Sequence, residues 1–374
     1  MRLRRSDVSR PALTRRSRGT GFEYLDGAGR LIHDAEVLGR IEALAIPPAW
    51  TDVWICARRN GHIQAVGTDA AGRRQYLYHP EWRARRDQEK FDHMLEFARA
   101  LPRIRQATSE ALAGRGLRRD RVLACAVRLL DVGFFRVGSE TYAEENSTYG
   151  LATMRKEHVK LGRECCEVTF EYVAKSHKER VQSIVDPAVH QVMRALKRRR
   201  GGGPELLAYH DGGWRDVRSE DINEYIKELS GGDYTAKDFR TWHATVLAAV
   251  GLAVSTEAAR TTTASRRAVG RAVKEVAHYL GNTPAVARRS YIDPRVIDRY
   301  QSGVTIAGAL EHLVRGSMGD EGGVRQAIET AVIDLIEDRP SPALARVGSE
   351  RPREPGRERS PDVGATTRPV EGLA

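Results

Sequence analysis

The chain has 374 residues, enough for two domains that each bury a core of their own. Its hydrophobic fraction of 41% excludes disorder throughout, and no apolar run is long enough to cross a bilayer as a helix. Sixty-one Lys and Arg stand against 50 Asp and Glu, and the resulting +11 favours a polyanionic partner without conferring sequence specificity.

The first 19 residues carry seven arginines and one aspartate and read as a basic flexible arm. They lack the apolar core of a signal peptide. From FEYLDGAGRLI to Trp82, short apolar runs alternate with Asn-Gly and Ala-Gly turn signals, which predicts a small antiparallel β-rich module over 20–82. The texture changes near Arg83. EKFDHMLEFARALPRIRQ and DRVLACAVRLLDVGFF space their apolar residues as helices do. In CEVTFEYVAKSHKERVQSIV the period drops to two, with Val168, Phe170 and Tyr172 on one face and Lys175 at the tip of a hairpin. Helical pattern returns in PAVHQVMRALKRRR, in SEDINEYIKEL with Ser219 as its N-cap, and in FRTWHATVLAAVGLAV and SRRAVGRAVKEVAHYLG. This mainly helical domain runs over 83–308 and is followed by a helical extension, 309–343, broken at GSMGDEGG. A Pro-, Arg- and Glu-rich tail at 344–374 is expected to be disordered.

Four cysteines, Cys56, Cys125, Cys165 and Cys166, have no metal-binding spacing and read as free thiols in a reducing compartment. No phosphate loop, dinucleotide glycine motif, HExxH or spaced Cys/His zinc pattern is present. If the chain acts on phosphates, side chains must supply the positive charge. Three segments offer it: FFRVGSE with Arg136, AKSHK with Lys175, and KDFRTWHA with Arg240. Taken singly, these fit a core-edge ion pair, a solvated hairpin lysine and a helix-surface cation.

The ordered series FFRVGSE, AKSHK, KDFRTWHA and GNTPAVARRSY resembles the type IB DNA topoisomerases, in particular the poxvirus-like and bacterial group, over about residues 20–305. The resemblance implies a fold of α+β class, a β-rich N-terminal domain and a larger, mainly helical catalytic domain with a β-hairpin, closing as a clamp around DNA. Carried over by position, Arg136 and Arg240 are the catalytic arginines, Lys175 the catalytic lysine and Tyr291 the nucleophile. Asn282 stands where poxviral and eukaryotic members carry histidine; an amide cannot titrate, so it acts by hydrogen bonding. Ala174 replaces the glycine usual before the lysine. RRQYLYHPEW resembles the family's DNA-contacting stretch, which makes Arg73, Arg74, Gln75, Tyr76, Tyr78 and His79 candidate DNA contacts, with Arg58 and Arg59 on phosphates. Arg288 and Arg289 fit a charged surface equally well.

The implied activity is relaxation of supercoiled double-stranded DNA through a 3′-phosphotyrosyl intermediate by a monomer, in the cytoplasm at the nucleoid, with no cofactor, metal, ATP or membrane. A tyrosine recombinase resembles the same arginine, lysine and tyrosine set. There the second arginine commonly ends His-x-x-Arg, whereas here the stretch is Lys237-Asp-Phe-Arg240. A non-catalytic basic DNA-binding protein accounts for the charge but not for Tyr291 in this company.

Overall fold

The computed structural model describes residues 2–162, 166–175, 177–255, 261–315 and 321–346. Cys165, residues 316–320 of the glycine-rich break and residues 347–374 of the expected tail lie outside these. The chain divides into two compact units, Met1–Ala100 and Leu101–Ala374.

The first unit holds β1 (Leu13–Arg18), β2 (Gly21–Leu25), α1 (Ala35–Ala43), β3 (Thr51–Ile55), β4 (Ile63–Thr68), β5 (Arg74–Tyr78) and the first part of α2 (Pro80–Leu112). Its strands form one antiparallel sheet in the order β2-β1-β3-β4-β5. Asp34 starts α1 by accepting from the backbone N–H of Glu36 and Val37. That helix lays Ile41 onto Val53, Ile55 and Ala65, with Leu13, Tyr24, Trp50 and Leu77 closing the core.

Residues 1–19, expected as a flexible arm, contain β1, which pairs with both β2 and β3. Arginine-rich composition does not prevent a strand when the side chains find partners. Arg15 donates to the carbonyls of Trp50 (2.6 Å) and Pro47 (3.1 Å) and lies over the Phe22 ring. Upstream, Arg4 exchanges backbone hydrogen bonds with Asn60 and His62, and the Ser6 N–H donates to His62 Nδ1 at 2.8 Å.

The second unit contains the remainder of α2, then α3 (Arg119–Gly133), α4 (Glu140–Asn146), β6 (Val159–Leu161), β7 (Glu167–Ala174), β8 (Lys178–Val185) and α5 (Pro187–Arg198). There follow β9 (Ala208–His210), β10 (Trp214–Asp216), α6 (Ser219–Ser230), α7 (Ala236–Val254), α8 (Thr262–Leu280), α9 (Pro284–Ser290) and α10 (Pro294–Gln301). Last come β11 (Val304–Thr305), α11 (Ala307–Arg315), α12 (Glu321–Glu337) and β12 (Ala345–Arg346), the last strand pairing with β11. Helices α3 and α7 are buried over most of their circumference and form the middle of this unit, burying Val122, Leu123, Leu129, Phe239 and Trp242 completely. The expected hairpin is present. β7 pairs with β8 from Glu167↔Val185 to Ala174↔Lys178, and Val168, Phe170 and Tyr172 bury one face.

Helix α6 begins one residue earlier than expected. Arg218 is its N-cap, with its N–H donating to Asp221 Oδ2 (2.8 Å), and Ser219 is the first helical residue. The Ser219 hydroxyl and N–H both donate to Glu140 on α4, so the serine ties two helices together.

One connection positions the site. After α3 the chain turns at Phe134, which is left-handed (φ 54°), and runs without regular secondary structure through Arg136 to Gly138. The carbonyls of Arg136 and Val137 accept from the N–H of Leu151 (2.8 Å) and Ala152 (2.7 Å). This pairing brings Gly138 and Gly150 so close that a Cβ on Gly150 would meet Gly138 Cα at 2.4 Å and the Arg136 carbonyl at 2.9 Å. Both clashes are with backbone, so the Arg136 segment itself would have to move. Gly150→Ala is therefore expected to lower stability by about 1–3 kcal/mol, read as the urea midpoint. An unchanged midpoint would show that the segment yields freely.

Candidate active site

The C-terminus of α8 organises the candidate residues. Helix α8 ends in a Schellman motif: Gly281 is left-handed (φ 63°), its N–H donates to His278 O, and the Asn282 N–H donates to Ala277 O. The last carbonyls of a helix lack internal partners and sit at the negative end of its dipole. Here three arginines supply the donors. Arg180, on β8, donates to His278 O (3.1 Å) and Tyr279 O (2.7 Å). Arg240, on α7, donates to Leu280 O (2.9 Å) and, with its other amino group, to Phe134 O (2.7 Å). Arg136 donates to Gly281 O (3.2 Å) and to Asn282 Oδ1. None of these acceptors is a full negative charge, so the cluster keeps its positive potential.

The two aromatics before Arg136 hold its segment from opposite sides. Phe135 is buried, edge-on to Phe170 at 4.9 Å and stacked on Tyr172 of the hairpin. Phe134 lies against His243 of α7 and Tyr279 of α8. Arg136 is thereby fixed between the hairpin and the helices.

Tyr291 is the C-cap of α9, a short helix started by Thr283 and Pro284 directly after the α8 terminus. The Thr245 hydroxyl of α7 accepts from the Asp293 N–H (3.1 Å) and shares its one proton between the carbonyls of Thr241 (3.0 Å) and Tyr291 (3.2 Å), which anchors the backbone on both sides of Ile292. The Arg240 guanidinium carbon lies 5.3 Å from the centre of the Tyr291 ring. Burial pushes the Tyr291 phenol up, but the charge and hydrogen bond of Arg240, the charge of Arg136 and the Asn282 amide together hold it below its ordinary value. Arg240 is 5% exposed, and burial, reinforced by Arg136 and Arg180, brings its own pKa down to about 10 against the opposing pull of Tyr291. It stays charged at neutral pH.

Arg136, Lys175, Arg240 and Tyr291 line one cavity of about 330 Å³, together with Lys237, Ser139, Thr148 and Tyr149. Lys175 is exposed and occupies the turn between β7 and β8. Asn282 adjoins this group through Arg136. Its Nδ2 is buried, has no partner of normal hydrogen-bond geometry among the described residues, and faces the Tyr291 phenol as a donor. Arg288 and Arg289 are exposed on α9 and do not line the cavity. Two cations escaped the sequence reading. Arg180 sits in an alternating strand that looks solvated, and Lys237 is one of many basic residues in first helical turns. Only the positions they take in the fold distinguish them. Among the described residues, no group of three or more His, Cys, Asp or Glu side chains is placed to hold a metal ion.

In the first unit, Arg74, Tyr76 and Tyr78 lie on one face of β5, with the two tyrosine rings stacked at 6.1 Å and about 40% exposed. Arg73 and Gln75 both reach Asp69, at 2.9–3.0 Å, and Arg59 pairs with Glu36 at 2.7 Å. His79 Nδ1 accepts from the Glu81 N–H at the start of α2. Arg58 lines a cavity of about 710 Å³ with Arg4, Arg5 and Arg10, all exposed, the last of them paired with Asp7.

Residues 79–309 match the family profile "Eukaryotic DNA topoisomerase I, catalytic core", and residues 21–69 match "Bacterial DNA topoisomerase IB, N-terminal domain". The chain is similar to DNA topoisomerase 1B of Acanthamoeba polyphaga mimivirus, 31% identical over 273 residues, or 70% of this chain and 80% of the relative. It is 21% identical to DNA topoisomerase 1B of vaccinia virus (strain Copenhagen) over 233 residues, 62% and 71% of the two chains. It is 29% identical to DNA topoisomerase 1 of Candidozyma auris over 160 residues, 42% of this chain and 20% of the relative. A profile spanning most of the second unit and a relative matched over four-fifths of its length make the assignment: the chain belongs to the type IB DNA topoisomerase family.

Proposed function

We propose that this protein relaxes supercoiled duplex DNA by transient cleavage of one strand, with Tyr291 as nucleophile. The observation that carries this reading is the Tyr291 phenol, held below its ordinary pKa in a cavity shared with Arg136, Arg240 and Lys175. The Tyr291 phenolate, its proton already lost to solvent, attacks the phosphorus of a phosphodiester. A tyrosyl–phosphorus bond forms and the bond to the 5′ oxygen breaks, leaving a 3′-phosphotyrosine and a 5′ hydroxyl. Negative charge gathers on the nonbridging oxygens, where the Arg136 and Arg240 guanidiniums and the Asn282 amide donor stabilise it. Lys175 gives its proton to the departing 5′ oxygen and takes it back on religation. One phosphoester replaces another, so the exchange conserves bond energy and draws on no ATP. The arginine, lysine and amide donors take the charge that a metal ion would otherwise take, and supercoil strain drives rotation of the broken strand.

Tyr76, Tyr78 and Arg74 on the open face of β5 contact the duplex, and Arg58 with Arg4 and Arg5 grips phosphates. Arg73 and Gln75 act through Asp69, which orders the turn before β5. Such backbone contacts hold a duplex without fixing its sequence.

Three measurements bear on this. Plasmid relaxation in excess EDTA without ATP is expected for the wild type and absent in Tyr291→Phe, which also forms no covalent DNA adduct; equal relaxation by both proteins would remove Tyr291 from its role. Strand exchange between defined sites would instead point to a recombinase. The second is a titration. Since Arg240 is the chief influence lowering the Tyr291 pKa, NMR of ring-labelled tyrosine, assigned with Tyr291→Phe, should inflect below 10 in the wild type and higher in Arg240→Gln. Phenolate, and with it single-turnover cleavage, therefore grows as pH rises toward that inflection. Third, Arg4→Ala, Arg5→Ala and Arg58→Ala should each flatten the log–log salt dependence of duplex binding by about 0.9 for every phosphate left without its arginine; three unchanged slopes would place the duplex elsewhere.

A further inference from the structure

The catalytic-core match stops at residue 309, and α12 follows it. Arg325 and Glu329, one turn apart on α12, close a buried charge cluster with Arg105 on α2, Asp131 in the last turn of α3 and His243 on α7. Arg325 donates to the Asp131 carboxylate (2.7 and 3.1 Å), to the Asp131 backbone carbonyl (2.8 Å) and to Glu329 (3.2 Å), and lies 2.9 Å from His243 Nε2. Arg105 bridges the same two carboxylates at 2.6–3.1 Å. Asp131 and Glu329 are almost wholly buried. Burial keeps the His243 pKa low, so with a neutral imidazole two carboxylates balance two guanidiniums.

A buried ionic cluster is a poor device for stability alone, because apolar packing of equal volume does as well or better. What it supplies is fixed geometry, and its place in the chain says for which groups. Asp131 is three residues before Phe134, whose carbonyl holds Arg240 at 2.7 Å, and five before Arg136. His243 is three residues along α7 from Arg240, and its ring lies edge-on to Phe134 at 5.3 Å. The Arg325 bond to the Asp131 carbonyl also satisfies a C-terminal carbonyl of α3, the helix from which the Arg136 segment departs. The cluster thus grips both chain segments that present the site's arginines.

We infer that Arg325, supported by Glu329, is a positioning residue for Arg136 and Arg240, so that α12 is part of the machinery of the site. The inference rests on the phosphoryl-transfer reading for its consequence, but not for its geometry. The test replaces Arg325 by Met, which keeps the length and removes the charge. In Arg325→Met the Tyr291 titration should move up, because the two arginines no longer sit squarely against the phenol. Single-turnover cleavage should slow about tenfold or more, with duplex affinity, measured in a Tyr291→Phe background, unchanged. Arg325→Lys, which retains the charge, should recover part of both losses. A folded Arg325→Met with wild-type titration and cleavage overturns the inference. Should Arg325→Met fail to fold, Glu329→Gln keeps every arginine and should shift both readouts the same way by less; no shift there overturns it equally. A wild type that cleaves no DNA, beside an Arg325→Met titration that still moves, would sink the proposed function and uphold the coupling.

Discussion

Everything at this site depends on how the end of one helix is capped. Four successive carbonyls at the C-terminus of α8 are met by guanidiniums from β8, α7 and the segment after α3. A carboxylate in their place would bind the arginines more tightly and cancel their charge. Peptide carbonyls offer direction with only partial charge, so they orient three forks while leaving the field for an incoming phosphate. The same turn then delivers Asn282 and the short helix ending at Tyr291, so Tyr291 and the cations share one reference frame.

Much of this was legible in the sequence, for identifiable reasons. Helices α3, α7 and α8 announce themselves because each has a face, or nearly a whole circumference, that must be buried. The hairpin shows in the two-residue alternation of Val168, Phe170 and Tyr172, with Lys175 at its turn. Phe134 and Phe135 marked Arg136 as a residue near packing, although their division of labour, one ring toward the hairpin and one toward α7 and α8, needs the left-handed turn at Phe134 to be seen.

The less legible parts have a common cause: a charged side chain carries no periodic signature of what it will pair with. Arg180 alternates with neighbours that do face solvent, and Arg325 and Glu329 have the i, i+4 spacing of any surface ion pair. The amino-terminal residues read as an arm from their arginines, because composition says nothing of backbone partners. It is β1, lying between β2 and β3, that makes them strand. Ser219 competed with Arg218 as the cap of α6 because serine is the commoner capping residue; Glu140 on another helix claimed its hydroxyl and N–H instead.

Thr245 gives Tyr291 a mechanical character. By accepting from the N–H of Asp293 and sharing its proton between the carbonyls of Tyr291 and Thr241, it stitches the chain to the middle of α7 on either side of fully buried Ile292. A tyrosine on a slack loop would give way when pulled. This one passes a load directly into α7, one of the two helices at the middle of its unit. Under the proposed function, a DNA end tethered to Tyr291 can tug and swivel on the side chain without drawing its oxygen away from Arg136 and Arg240.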